Sequence, residues 1–270
     1  MKKFLTLIFF IFFTSTYAAA DKWKVQNKWK ISCGLVDKEA LIVNGKPKKS
    51  FNKNEFKVES VTFKLDKGEI GKCKPDKKPS GGYPYSGRQE ITHKLSPGNT
   101  IVEAVILTSG APQYRSHFFQ IHDGRSSGKP PSMISVQKDW RVRNQHSVEC
   151  FKPKCKQLKY EVYLKPGENK KFKADVQYDK KGKKISARYY LDGELVVQHL
   201  DVPIAKKKTD GPYGPNKPYI KIGIYRIGDT GTTTYYYKNL LVKNKKKSSF
   251  LKGHDKWKFS QQLILKIRNV

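Results

Sequence analysis

Three short runs carry side chains that could do chemistry together: Gly87-Arg88-Gln-Glu90, Gln120-Ile-His122 and Tyr219-Ile-Lys-Ile-Gly-Ile-Tyr225-Arg226. Each reads as a β-strand with polar groups on one side. Successive strand side chains point to opposite faces, so Arg88 and Glu90 share a side, as do Gln120 and His122, and Lys221 and Tyr225. On one sheet they would present a cation, an amide, an imidazole and a phenol. That set suits β-elimination across C4–C5 of a uronic acid, in which a weakly acidic C5 proton leaves beside a carboxylate that resists further negative charge. Arg88 and Gln120 suit the carboxylate, the first through its fork of donors and the second as a neutral donor. His122 and Tyr225 suit the proton transfers, and Tyr225 can also protonate the leaving C4 oxygen. Lys221 is expected to favour the phenolate of Tyr225 and to hold an anionic chain, with Arg226 and Tyr236 as further substrate contacts. Glu90 is expected to orient Arg88. Tyr235, Tyr236 and Tyr237 either include a sugar-stacking ring or mark the buried face of an edge strand. His93, His117, His146, His199 and His254 have no comparable context.

In this order, inside a β-patterned chain, the three runs resemble the jelly-roll polysaccharide lyases over roughly residues 80 to 242. Gly223-Ile-Tyr-Arg226, followed by Ile227-Gly-Asp229, is most similar to heparin lyase I and its relatives. Gln120-Ile-His122 is closer to the alginate lyases of polysaccharide lyase family 7. The resemblance implies an all-β, concanavalin A-like sandwich of two sheets, a lyase acting on acidic polysaccharide, and no metal or other cofactor. It places Arg88, Gln120, His122, Lys221 and Tyr225 at active-site positions, with His122 and Tyr225 jointly as the acid–base pair. Which of the two takes the C5 proton depends, in such enzymes, on whether that proton and the leaving group lie on the same side of the sugar.

The elements around these runs are short and β-like. Strands are expected at Val58–Leu65, Thr100–Leu107, Ser116–His122, Tyr160–Leu164, Lys171–Tyr178, Ile185–Leu191, Glu194–Val202 and Tyr235–Val242. Asp192-Gly193 is a strong hairpin turn between two of them. Residues 44–57 and 66–82, rich in Lys, Gly, Pro and Asn, read as loops around the Val58 strand. Residues 204–218 read as a loop beside the Tyr219 strand, placed to cover substrate or simply to connect. Little helical periodicity appears, and repeated short strands with turn signals predict a two-sheet sandwich.

Met1-Lys2-Lys3, the apolar run Phe4 to Phe13 and Ala18-Ala19-Ala20 read as a secretory signal over residues 1–20, cleaved near Ala20. The mature chain is expected to be secreted or periplasmic, monomeric and without a membrane anchor, with a lyase domain over 21–247 and a tail over 248–270. The formal charge is +32, and losing Lys2 and Lys3 leaves +30. Such a charge points to polyanions. The lysines are spread along the chain with no zinc-finger spacing, basic heptad or RNA-binding signature, so acidic polysaccharide is favoured over nucleic acid. Four cysteines allow three pairings, of which Cys150–Cys155 with Cys33–Cys73 is favoured over a metal site. A lectin-like module for acidic glycans would use the same sandwich without needing His122 and Tyr225. A glycoside hydrolase would need two carboxylates across a cleft, and the motif strands offer Glu90 alone.

Overall fold

The computed structural model describes residues 23–33, 41–48, 54–67, 86–110, 114–123, 130–146, 150, 153–204, 217–228 and 231–245. The expected signal segment, the loops over 68–82 and 205–216, Cys73 with its pairing to Cys33, and the tail over 248–270 lie outside the described residues.

Alternation of apolar and polar residues builds two antiparallel sheets. The seven-stranded sheet runs in the order β11 (Val142–His146), β10 (Ser132–Gln137), β9 (Arg115–His122), β16 (Tyr219–Ile227), β7 (Ser86–Lys94), β2 (Lys28–Cys33) and β5 (Phe56–Lys57). The ten-stranded sheet runs β12 (Cys155–Gln157), β15 (Glu194–Pro203), β14 (Lys184–Leu191), β13 (Lys170–Asp179), β8 (Gly98–Ser109), β17 (Thr233–Lys245), β6 (Val61–Leu65), β3 (Leu41–Val43) and β4 (Lys46–Pro47), with β1 (Lys24–Val25) pairing to β17. In β8, Val102, Ala104 and Ile106 are buried while the residues between them are half-buried, the pattern of a strand with one face on a core. The expected turn at Asp192-Gly193 joins β14 to β15, both residues having positive φ of 50° and 86°, as a type I′ hairpin requires.

The core lies between the sheets. Phe118 and Phe119 of β9 reach across to Phe172, Tyr189 and Tyr235 of the opposite sheet, and Ile220, Ile222 and Ile224 of β16 are buried beside them. The inward side of β16 is thus fixed as its even-numbered residues, and its odd-numbered ones face outward.

Three expectations need correction. Tyr160–Leu164 is not a strand. It lies as a strap across the end of β11, with one isolated bridge from Tyr163 to Arg141 and backbone bonds from Val142 to Val162 and from Leu164 to Trp140. Residues 44–57, read as loop, contain β4 and β5. β17 is not an edge strand, since it sits between β8 and β6.

Candidate active site

The ladders of the seven-stranded sheet decide which side chains meet. Tyr225 of β16 stands opposite Arg88 of β7 on one side and His117 of β9 on the other. His117 stands opposite Ser135 of β10, which stands opposite Arg143 of β11. Arg88, Tyr225, His117, Ser135 and Arg143 therefore form one row across five strands on the outward face. The Arg88 guanidinium carbon lies 4.2 Å from the Tyr225 ring centre, and the His117 ring lies 5.3 Å away, tilted by 34°.

Next to this row is a buried charge cluster. Glu90 sits opposite Gly223, and its carboxylate accepts a bond from Gln120 Nε2 and a 3.1 Å bond from Lys221 Nζ. Arg88 Nε lies 3.7 Å from the same carboxylate, so Glu90 orients Arg88 and also holds Lys221 and Gln120. Glu90, Gln120 and Lys221 are all buried. At the far end of the ladder His122 stands opposite Tyr219, the two rings stacked at 5.2 Å and 9°.

The sheet thus brings Arg88, Glu90, Gln120, Lys221 and Tyr225 onto one face and into one contiguous patch, but it does not bring His122 to Tyr225. Their positions on the β16 ladder are Tyr219 and Tyr225, six residues of strand and on the order of 20 Å apart. Lys221 likewise has Glu90 as its ion-pair partner, and the ring its ammonium overhangs is Tyr219, 5.9 Å away, not Tyr225.

Two expected substrate contacts lie elsewhere. Arg226 is an even-numbered residue of β16 and points into the sandwich, where it is buried and donates to the carbonyls of Leu65, Asp66 and Gly231. Tyr236 belongs to β17 in the other sheet. Its neighbours Tyr235 and Tyr237 take the core side, and it faces outward by Lys238, in a shallow hollow lined by Ile42, Ser60 and Thr62. The expected bridge between Cys150 and Cys155 is present. His146 lies beside it, but the two sulfurs are bonded to each other.

The polysaccharide lyase family model matches residues 105–240, half of the chain. The chain belongs to the polysaccharide lyase family. The match takes in His117, Gln120, His122, Lys221 and Tyr225 and leaves Arg88 and Glu90 just before it. Among solved structures, this polysaccharide lyase is similar to the alginate lyase A1-II′ of polysaccharide lyase family 7, at 17% identity and a TM-score of 0.50, over 82% of this chain and 96% of that one. It is also similar to alginate lyase AlgAT5 of the same family (15% identity, TM-score 0.48, 81% and 95% covered) and to an alginate lyase from Corynebacterium sp. (12%, 0.47, 81% and 95%). The first of these likenesses is one of fold, the jelly-roll sandwich expected from the sequence. No curated protein matches the chain in sequence.

Sequence reasoning passed over His117. Strict alternation from Gln120 and His122 would turn an odd-numbered residue of β9 toward the core. The strand carries a bulge instead: the β10 ladder steps from Phe119 to His117, and the β16 ladder shifts at the same place. Phe118 and Phe119 both point inward, and His117 comes out on the Tyr225 face. Two consecutive phenylalanines in an alternating strand were the available signal.

Proposed function

We propose that this polysaccharide lyase acts on an acidic, uronate-containing polysaccharide, with Tyr225 moving the protons and Arg88 neutralising the uronate carboxylate. The observation that carries this reading is the contact of the Arg88 guanidinium with the Tyr225 ring, in a row with arginine at both ends. Across five strands the row spans about 19 Å at roughly 4.8 Å per strand, enough for several sugars of an anionic chain. The phenolate of Tyr225 takes the C5 proton, the C5–H electrons form the C4=C5 double bond, and the C4–O bond breaks. The phenol then returns its proton to O4. Arg88 holds the carboxylate through the charge that builds at C5, and Gln120, bonded to Glu90, lies beside it as a second donor.

Since one sugar cannot reach both His122 and Tyr225, His122 and its partner Tyr219 are assigned to a neighbouring part of the chain, with Lys221 supplying charge between. A single group serving as base and then acid suits uronates whose C5–H and C4–O lie on the same face, such as glucuronate and mannuronate. Thr92 stands where the alginate-lyase motif has a second Arg, Ile227 where it has Gln, and Ile121 where the heparin-lyase motif has Trp, so glucuronan ranks beside alginate and heparin as a candidate. The Cys150–Cys155 bridge and the leader-like residues 1–20 support export.

The test is a panel of alginate, polymannuronate, glucuronan, heparin, chondroitin and pectate, followed by the far-ultraviolet absorbance of the unsaturated uronate. Cleavage of a polyuronate by the wild type and none by Tyr225→Phe is expected. An enzyme silent on every uronan would sink the reading.

A further inference from the structure

We propose that His117 is a positioning residue for Tyr225, turned onto the active face by the β9 bulge to hold the phenol against Arg88. The inference rests on the assignment of Tyr225 as the proton-transfer group. Arg88 and His117 come from the two strands that flank β16 and stand in register with Tyr225, so the ring has a flat cation on one side and a flat imidazole on the other. His117 is 2% exposed. Its imidazole lies against the Tyr225 ring, and its effect on the reaction passes through that ring.

The backbone at this point is built for the placement. The β9 bulge spends Phe118 and Phe119 on the same inward side, which leaves the Phe118 carbonyl outside the regular ladder. Tyr237, reaching across the core from β17, donates a 2.6 Å bond to that carbonyl. On the facing strand Gly223 has φ +139°, and a Cβ there would lie 2.2 Å from the Gln89 carbonyl oxygen. A bulge held from the opposite sheet, and a glycine that lets β16 close on β7, together set His117, Tyr225 and Arg88 in one row.

Proton transfer tolerates little movement of the transferring oxygen, and a misplacement of about 1 Å can cost about a hundred-fold in rate. With one flank open the Tyr225 ring can swing away from Arg88. His117→Ala is therefore expected to lower kcat about ten- to a hundred-fold while leaving KM for the best polyuronate little changed. His117→Phe, which keeps a flat ring, should recover most of kcat, and His117→Leu, of similar bulk but not flat, should not. Steady-state kinetics on all three, with circular dichroism and urea unfolding to confirm the fold, read the result, and the Phe and Leu variants give the comparison even if the Ala variant is unstable. Wild-type kcat in His117→Ala beside an inactive Tyr225→Phe would overturn this proposal alone. So would a folded His117→Phe as slow as the Leu variant. An active Tyr225→Phe would instead remove the assignment on which it rests.

Discussion

Glu90 holds three side chains at once. Its buried carboxylate receives Lys221 and Gln120 and lies within ion-pair distance of Arg88, so the cation expected to act on Tyr225 is committed to a carboxylate instead. Removing one partner of a buried pair leaves the other uncompensated, typically at a cost of about 3–5 kcal/mol. Glu90→Gln is thus expected to lower stability by a few kcal/mol and to lose turnover, and Glu90→Gln/Lys221→Met should recover part of the stability because the buried lysine charge is no longer stranded. Urea unfolding of the single and double variants gives the coupling, and equal stability of Glu90→Gln and wild type would show that the cluster carries no such energy. Arg88 makes a different demand. Its fork must meet a carboxylate while it lies over the Tyr225 ring, and a lysine keeps the charge but not the planar fork. Arg88→Lys should therefore drop kcat at least about ten-fold, and wild-type kinetics in that variant would take Arg88 out of the centre.

At the scale of the strands, what alternation could reveal and what it could not are separated by the bulge. Residues on either side of it were legible: Gln120 and His122 share a face, as do Arg88 and Glu90, and Lys221 and Tyr225, because period-2 patterning fixes the sides of an unbroken strand. Which residues stand opposite one another depends on register between strands distant in sequence. No local pattern carries that, so the separation of His122 from Tyr225 could not be read. The same bulge hid His117, and alternation beside Ile224 already gave Arg226 the core side, though its arginine type argued for substrate. Tyr237 tests the element directly, since it lies in the core and its hydroxyl donates to the bulge carbonyl of Phe118. Tyr237→Phe leaves a buried acceptor without that donor, costing about 1–3 kcal/mol. If the bulge sets the site, kcat should fall with stability. A destabilised variant with unchanged kcat would mean that the bulge geometry survives without the bond. Gly223→Ala should be harsher, because backbone, not a flexible side chain, occupies the space its methyl would need.

The molecule as a whole combines a buried seam between its sheets with a strongly cationic chain, and the two respond differently to solution conditions. His199 sits in the seam, fully buried, with Nδ1 2.6 Å from Ser132 Oγ. Burial, reinforced by His146 nearby, pushes its pKa down from 6.5 to about 3. The unfolded chain takes up a proton at His199 below about pH 6.5 and the folded one does not until about pH 3, so stability is present above 6.5 and declines as pH falls through that window. The urea midpoint should drop between pH 7 and pH 4, and His199→Gln should flatten that part of the decline. Substrate binding should follow the charge. A formal +32, from 55 basic and 23 acidic residues, attracts any polyanion, but only partly screened contacts such as the arginine row should outlast added salt. Affinity for a polyuronate, measured by calorimetry with the inactive Tyr225→Phe, is expected to weaken at least about ten-fold between roughly 50 and 200 mM salt, as when several bound counterions are released. A neutral glucan should show no binding at either salt. Salt-independent affinity for that glucan would mean that shape and stacking, rather than the cationic face, select the polysaccharide.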